Sequence, residues 1–309
     1  MLRAEKNPMR ILVSGSHGLV GKALIRSLTP DGHEIVRLVR GKPSGATEIE
    51  WYPNEGNLDA ASLEGIDAVV HLAGESIASG RWSEEKKRAI RDSRVKGTAL
   101  LSDALARLSR PPSVFVSASA IGYYGNRGDE LLTETSAPGD DFLAKVCVEW
   151  ENATIPAIEK GIRTVHARFG IILDAKEGAL GKMLTPFQMG IGGRVGDGKQ
   201  WMSWIDIEDV VNGLKSLLTD SSVNGPVNFV APNPVTNAEF TKTLGRVLSK
   251  PTLFPIPAFG VRLAFGEMAD ALLLSSQRVE PSVLVQIGFG FAYPTLESAL
   301  RHILAAKFR

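Results

Sequence analysis

The sequence predicts an α/β protein: a doubly wound parallel sheet followed by a smaller, mostly helical C-terminal lobe. Three observations carry that expectation. Short apolar runs alternate with stretches whose apolar residues recur at helical spacing, and strands joined through helices pair in parallel by right-handed crossovers. The first run, residues 10–14, passes into glycines spaced G-x-x-G-x-x-G (Gly15, Gly18, Gly21) and then into a helical pattern over 22–28. Beyond Gly170 the pattern changes: seven glycines (178, 181, 190, 192, 193, 196, 198) crowd one segment, and later residues are mostly helical with proline-rich joints at 251–257.

In chain order, residues 10–14 read as a buried strand and 22–28 as the helix after it. Residues 33–40 (HEIVRLVR) form a second strand ending in a basic turn, 48–51 a short third, and 67–74 (DAVVHLAG) a fourth. Residues 83–108 are mostly one helix, on which Ala89, Ile90, Val95, Ala99, Leu100, Leu101, Leu105 and Leu108 recur at helical spacing. A fifth strand, 114–119, runs into a loop over 120–139; 142–160 is helical and 163–169 a sixth strand. The glycines of 178–198 suggest a mobile loop over a site. Residues 201–218 lead into another helix, 226–230 make a late strand, and 236–248, 259–274 and 295–304 are helical. The expected division is a nucleotide-binding domain over 9–170 and a substrate lobe over 171–309, interleaved with the main sheet around 199–231.

With 309 residues, 44% of them hydrophobic, the chain can bury a large core. A formal net charge of +1 gives no electrostatic argument for nucleic acid or an anionic membrane. The single cysteine, Cys147, forbids an intrachain disulfide. The opening MLRAEKNP has no apolar core of the signal-peptide kind, and no run reaches the roughly 18 apolar residues of a membrane span. A soluble cytoplasmic protein is expected.

The glycine turn points to a dinucleotide. The first glycine makes the bend, the second lets the backbone approach a pyrophosphate, and the third lets helix pack on strand. The amides that open the helix then face the phosphates. Gly15, Ser16, Gly18, Leu19, Val20 and Gly21 are therefore cofactor candidates, joined by Leu72, Ala73 and Gly74 after the fourth strand, Ser117 in the fifth and Arg168 in the sixth. A carboxylate near the end of the second strand would bind the 2′-hydroxyl of NAD(H), but the chain has Val39 and then Arg40 there. A guanidinium suits a 2′-phosphate, so NADP(H) is favoured over NAD(H). Otherwise Arg40 is a solvated turn residue. Arg37 reads as structural.

The residues resemble the extended short-chain dehydrogenase/reductase superfamily. More narrowly, HLAGESIASGRWSEEKKRAIRDSRVKGT, SASAIGYYG, DDFLAKVCVEWE, GGRVGDGKQWMSWIDIEDVV and APNPVTNAEFTKTLGRVL resemble the NAD-dependent epimerase/dehydratase-like "epimerase family", including its own C-terminal domain. The resemblance implies a Rossmann-type fold and a homodimer through the helices over 83–108 and 142–160. It also implies a Ser/Thr and a Tyr-x-x-x-Lys, the tyrosine as acid/base and the lysine lowering its pKa and holding the nicotinamide ribose. Laid on this chain, that motif gives Asp141 in the tyrosine's place, then Lys145 and Glu149. A carboxylate titrates about six pH units below a phenol and cannot replace it as a neutral-pH proton donor.

Ser119, Tyr123, Tyr124 and Lys145 are accordingly the catalytic candidates, with Lys145 also a ribose ligand. Glu75, Trp82, Arg94, Arg194, Trp201 and Trp204, together with Arg81, are candidates for a substrate pocket, since guanidinium groups suit phosphate or carboxylate and indoles suit a sugar or base face. Each has a packing alternative. Asp209, in a stretch resembling W-I-H-V-x-D, reads as structural. His17, His33, His71, His166 and His302 show no metal spacing, and His71 reads as a core side chain. The preferred function is an NADP(H)-dependent oxidoreductase or epimerase acting on a small polar, nucleotide-linked or similar substrate. The alternative is a non-catalytic NADP(H) sensor or scaffold.

Overall fold

The structure, a computed structural model, describes residues 8–307; the polar opening stretch over 1–7 lies outside the described residues. The strands are β1 Arg10–Ser14, β2 Glu34–Val39, β3 Glu48–Tyr52, β4 Asn57–Leu58, β5 Ala68–His71, β6 Val114–Ala120, β7 Leu131–Leu132, β8 Arg163–Phe169, β9 Ile171–Leu173, β10 Trp201–Met202, β11 Trp204–Asp206, β12 Gly225–Phe229, β13 Val235–Thr236 and β14 Arg278–Val279. The helices are α1 Leu19–Leu28, α2 Glu84–Ala106, α3 Phe142–Asn152, α4 Ile155–Glu159, α5 Gly178–Gln188, α6 Ile207–Thr219, α7 Asn237–Leu248, α8 Ala258–Phe265, α9 Glu267–Leu272, α10 Ser282–Gln286 and α11 Leu296–Lys307.

The main sheet runs β12-β8-β6-β5-β1-β2-β3-β4, parallel except for β3–β4. From β1 the chain builds outward on one side through β2 and on the other through β5, so the order reverses between β1 and β5. Ligands of such sheets bind in the crevice at the carboxyl ends of the strands there. This is the expected Rossmann-type, doubly wound sheet.

Both faces of the sheet are covered, which explains why its central strands β1 and β5 are short apolar runs, while β2, β3 and β8 interleave charged residues. Ile11 and Val13 of β1 pack with Leu24 and Leu28 of α1 and Val210, Leu214 and Leu217 of α6. Leu12 points the other way, into a core with Val36, Val69, Phe115, Leu101 and Leu105. A separate core in the C-terminal half gathers Leu180, Leu184, Phe187, Trp204, Phe240, Leu244 and Leu300. Among the described residues no helix is long and apolar enough to cross a membrane.

Three elements differ from expectation. The helix over 142–160 is two helices, broken where Thr154 caps the second and Pro156 enters its first turn. The helix over 259–274 is likewise divided at Gly266, whose φ is +61°. The glycine-rich stretch is not a mobile loop: α5 occupies its first half, and several of its glycines permit close packing. A Cβ on Gly193 would lie 1.7 Å from the Phe254 carbonyl oxygen, and one on Gly192 would lie 2.4 Å from the Phe187 ring. There glycine is needed for contact, not freedom.

Candidate functional site

At the switch point, β1 delivers the backbone into a cradle in which two of the three glycines leave no room for a side chain. Gly15 has φ +65°, and a Cβ there would sit 2.7 Å from the Leu72 carbonyl. A Cβ on Gly21 would sit 2.3 Å from the Gly15 carbonyl oxygen, so the third glycine lets α1 close onto the turn. The Gly18 amide donates to Gly15 O at 3.0 Å. Gly18 is the N-cap of α1, with no side-chain cap and no acidic residue in the first turn. The opening amides and the positive end of the helix are left for an external anion, and the residues present fit a dinucleotide diphosphate.

A buried polar chain ties this turn to the helices behind it. Ser14 Oγ accepts from the Leu72 and Ala73 amides at 3.0 and 3.2 Å and pairs with His71 Nδ1 at 2.7 Å. His71 Nε2 pairs with Thr98 Oγ1 of α2 at 3.0 Å, and the same oxygen accepts from Trp150 Nε1 of α3 at 2.9 Å. Burial pushes the His71 pKa down to about 4, so the ring is neutral at physiological pH. His71 is a hydrogen-bonded core side chain, fixing the glycine turn, α2 and α3 relative to one another.

The turn opens into a cavity of about 300 Å³. Gly15, Gly18, Leu19, Val20, Gly21 and Leu72 line one part; Arg94 of α2, Ser119 of β6 and Leu143, Val146, Cys147 and Trp150 of α3 line another. Ser119, 2% exposed, donates its hydroxyl proton to Glu151 Oε1 at 2.7 Å. Burial pushes the Cys147 thiol up to about 12, which leaves it protonated and a poor nucleophile.

Several predicted residues stand elsewhere. Lys145 is exposed and does not line the cavity; with Glu149, which pairs with Arg91, it lies outside the helix face that forms the cavity wall. Asp141 is the N-cap of α3, its Oδ1 accepting from the Ala144 amide at 2.8 Å, which explains a carboxylate there. Two pairs four residues apart line the cavity, Leu143 with Cys147 and Val146 with Trp150; the first stands two residues on from the motif as laid on the sequence. The 143, 146, 147, 150 spacing of one helix face was the signal that would have found them.

Tyr124 is fully buried, donating to Asn228 Oδ1 at 2.7 Å and accepting from Arg168 Nη1 at 3.0 Å, and burial pushes its pKa up to about 12. It is a packing residue, not an accessible acid. Tyr123 lies with its ring 3.5 Å from the Arg168 guanidinium carbon and does not line the cavity. Arg168, 3% exposed, donates Nε and Nη2 to the two Glu151 oxygens at 2.8 Å each and Nη1 to Tyr124 and to Glu134 O. Its donors are used within the protein, so it is a buried structural ion pair rather than a cofactor ligand. Ser117 is buried within β6, Ser16 is buried beside His17, and Ala73 and Gly74 follow β5; none lines the cavity.

Of the substrate candidates, only Arg94 lines it. Trp204 is 0% exposed, with Nε1 on Asn233 O. Trp201 donates to Asp129, and Arg194 is exposed beside Asp197. Trp82 donates to Ile77 O and packs on Phe142, holding residues 77–82 against α3, while Arg81 lies against Gly266. Glu75 pairs with Lys86 at 2.6 Å. Asp209 accepts from the Ala292 and Tyr293 amides, and Arg37 pairs with Glu48; both are structural. Arg40 is exposed at the end of β2, beside β1, with no ion pair among the described residues.

Known proteins match along nearly the whole chain. The NAD dependent epimerase/dehydratase family matches residues 11–230, and a domain of unknown function (DUF1731) matches 256–303. Epimerase family protein Mb2239 of Mycobacterium bovis is 43% identical over 290 residues, covering 94% of this chain and 96% of its own. The crystal structure of human epimerase family protein SDR39U1 (isoform2) with NADPH superposes with a TM-score of 0.89 at 36% identity, covering 96% and 99% of the two chains. A nucleoside-diphosphate sugar epimerase from Corynebacterium glutamicum gives a TM-score of 0.81 at 38% identity, with 97% of this chain and 59% of that one covered. With its glycine cradle at the sheet's switch point and these matches over nearly its full length, the chain belongs to the NAD dependent epimerase/dehydratase family.

Proposed function

We propose that the protein binds NADP(H) along the carboxyl edge of its sheet and acts as an oxidoreductase or epimerase on a small polar substrate held between α2 and α3. The observation that carries this reading is the cradle of Gly15, Gly18 and Gly21 opening directly into the cavity. The NADPH in the human relative, and a guanidinium rather than a carboxylate after β2, support the phosphorylated dinucleotide. The amides at the start of α1 would hold the diphosphate, and Arg40 the 2′-phosphate.

When bound, the dinucleotide supplies hydride transfer. The chain's own residues bind, orient and exclude water. Ser119 donates a hydrogen bond to Glu151, so its oxygen can accept from a substrate hydroxyl; Glu151 is itself held by Arg168. Leu143, Val146 and Trp150 provide an apolar wall.

A second reading, a dinucleotide sensor without turnover, is favoured by Leu143 and the protonated Cys147 facing the cavity where a tyrosine and lysine would be needed. Nicotinamide absorbance followed over nucleotide sugars, free sugars and small carbonyl compounds separates the two. The enzyme reading expects turnover of at least one compound, lowered about 10²-fold or more by Ser119→Ala with dinucleotide affinity intact. Tight NADPH binding without turnover on any of them supports the sensor.

A further inference from the structure

We propose that Arg94 binds a small oxyanion, so that the substrate carries a carboxylate or a phosphate monoester. The inference rests on the cavity being the substrate site of an NADP(H)-binding protein.

Arg94 is the single charged side chain lining the cavity among the described residues. Its Nη1 donates to the backbone carbonyls of Glu75 and Ile90, both at 3.0 Å. Nη2 and Nε make no hydrogen bond or ion pair among the described residues. The neighbouring Glu75 carboxylate forms its ion pair with Lys86 and acts on Arg94 only at longer range, so the guanidinium makes no salt bridge among the described residues. It is held in place by packing: its central carbon lies 5.1 Å from the centre of the Trp150 ring, and a Cβ on Gly74 would be only 3.4 Å from it.

A cation drawn out of water without a counterion is destabilising, whereas a planar fork with unused donors matches the two oxygens of a carboxylate or phosphate. The other side chains lining the cavity are apolar or, like Ser119 and Cys147, neutral, so nothing in the wall competes for that anion. The dinucleotide diphosphate already has its seat in the amides that open α1. That leaves the guanidinium for the other ligand. A carboxylate or phosphate fixed there would be one anchor of the substrate, and the Ser119 oxygen a second.

The test compares each anion with its neutral counterpart: glycolate against glycolamide, and glycerol 3-phosphate against glycerol. Calorimetric titrations are run on wild type, Arg94→Lys and Arg94→Met, each with and without saturating NADPH. We expect glycolate or glycerol 3-phosphate to bind wild type at least about tenfold tighter than its neutral counterpart, a charge-assisted fork accounting for that difference. The stronger anion identifies the substrate group. Arg94→Met should abolish the preference and Arg94→Lys retain part of it, with NADPH affinity changed less than about threefold in both. Absence of any anion preference in wild type overturns the proposal. So does a loss of tenfold or more in NADPH affinity on Arg94→Met, which assigns the residue to the dinucleotide. If Arg94→Met does not fold, the wild-type comparison and Arg94→Lys decide alone. Failure of wild type to bind NADPH, with the anion preference intact, removes the dinucleotide reading and leaves the Arg94 assignment standing.

Discussion

The two ends of the cavity are built by opposite means. At the glycine turn the backbone makes the site: Gly15 and Gly21 cannot carry a side chain, because a Cβ meets the Leu72 or the Gly15 carbonyl at under 3 Å, and at Gly18 it would sit tightly, 3.3 Å from the Gly15 carbonyl oxygen. At the α3 wall the helix is kept and the side chains make the site, and here they are Leu143, Val146, Cys147 and Trp150. A site made by backbone is readable from residue identity, since glycine has few substitutes. A site made by side chains depends on which face of a helix turns inward. The chain carries a lysine four residues after Asp141, yet that lysine is exposed and does not line the cavity.

Behind the α3 wall lies a buried ion pair, and breaking it gives the largest effect. Glu151→Gln leaves the Arg168 guanidinium, 3% exposed, facing a neutral amide. Removing one partner of a buried pair costs about 3–5 kcal/mol, to be read as a lowered denaturant midpoint at unchanged slope. A variant as stable as wild type would show that Arg168 is not held as described and reopen it as a ligand of the cofactor.

The polar chain joining the two ends is tested by pH. Burial lowers the His71 pKa to about 4 in the folded protein, against the 6.5 of an ordinary histidine in the unfolded chain. A lowered folded pKa gives stability that is complete above the unfolded value and lost as pH falls through the folded one. Stability should therefore fall between pH 6.5 and 4, by roughly 3 kcal/mol at most from this residue. His71→Asn should flatten that part of the profile of melting temperature against pH. An unchanged profile would mean that the ring is not sealed between Ser14 and Thr98.

The smallest effect sharpens the comparison most. Lys145→Ala removes an exposed side chain and should change stability by no more than about 0.5 kcal/mol. NADPH affinity should also be unaffected. A clear loss of affinity would return the lysine to the nicotinamide ribose and move the cavity wall by two residues.

Much of the fold was legible because its central strands are sheathed on both faces and so carry short apolar runs, Ile11–Val13 in β1, Ala68–Val70 in β5 and Val114–Val116 in β6. Less legible was whatever depends on distant contact. Gly193 looked like part of a loop because nothing near it in sequence reveals the Phe254 carbonyl pressed against it. Tyr124 and Arg168 looked like site residues because they lie near the strand ends; only the folded chain shows them satisfying each other with Glu151 and Asn228. Asp141 could have been read as a helix cap from its place before an apolar run. That reading frees the motif from Asp141 and leaves the 143, 146, 147, 150 face to mark the wall.

Calorimetric titration of NADPH and NADH into wild type and Arg40→Ala tests the central claim most directly. The account predicts that wild type binds NADPH at least about tenfold tighter than NADH, and that Arg40→Ala loses this preference while NADH affinity stays the same. Equal or tighter binding of NADH would contradict the role of Arg40, and no binding of either dinucleotide would contradict the account as a whole.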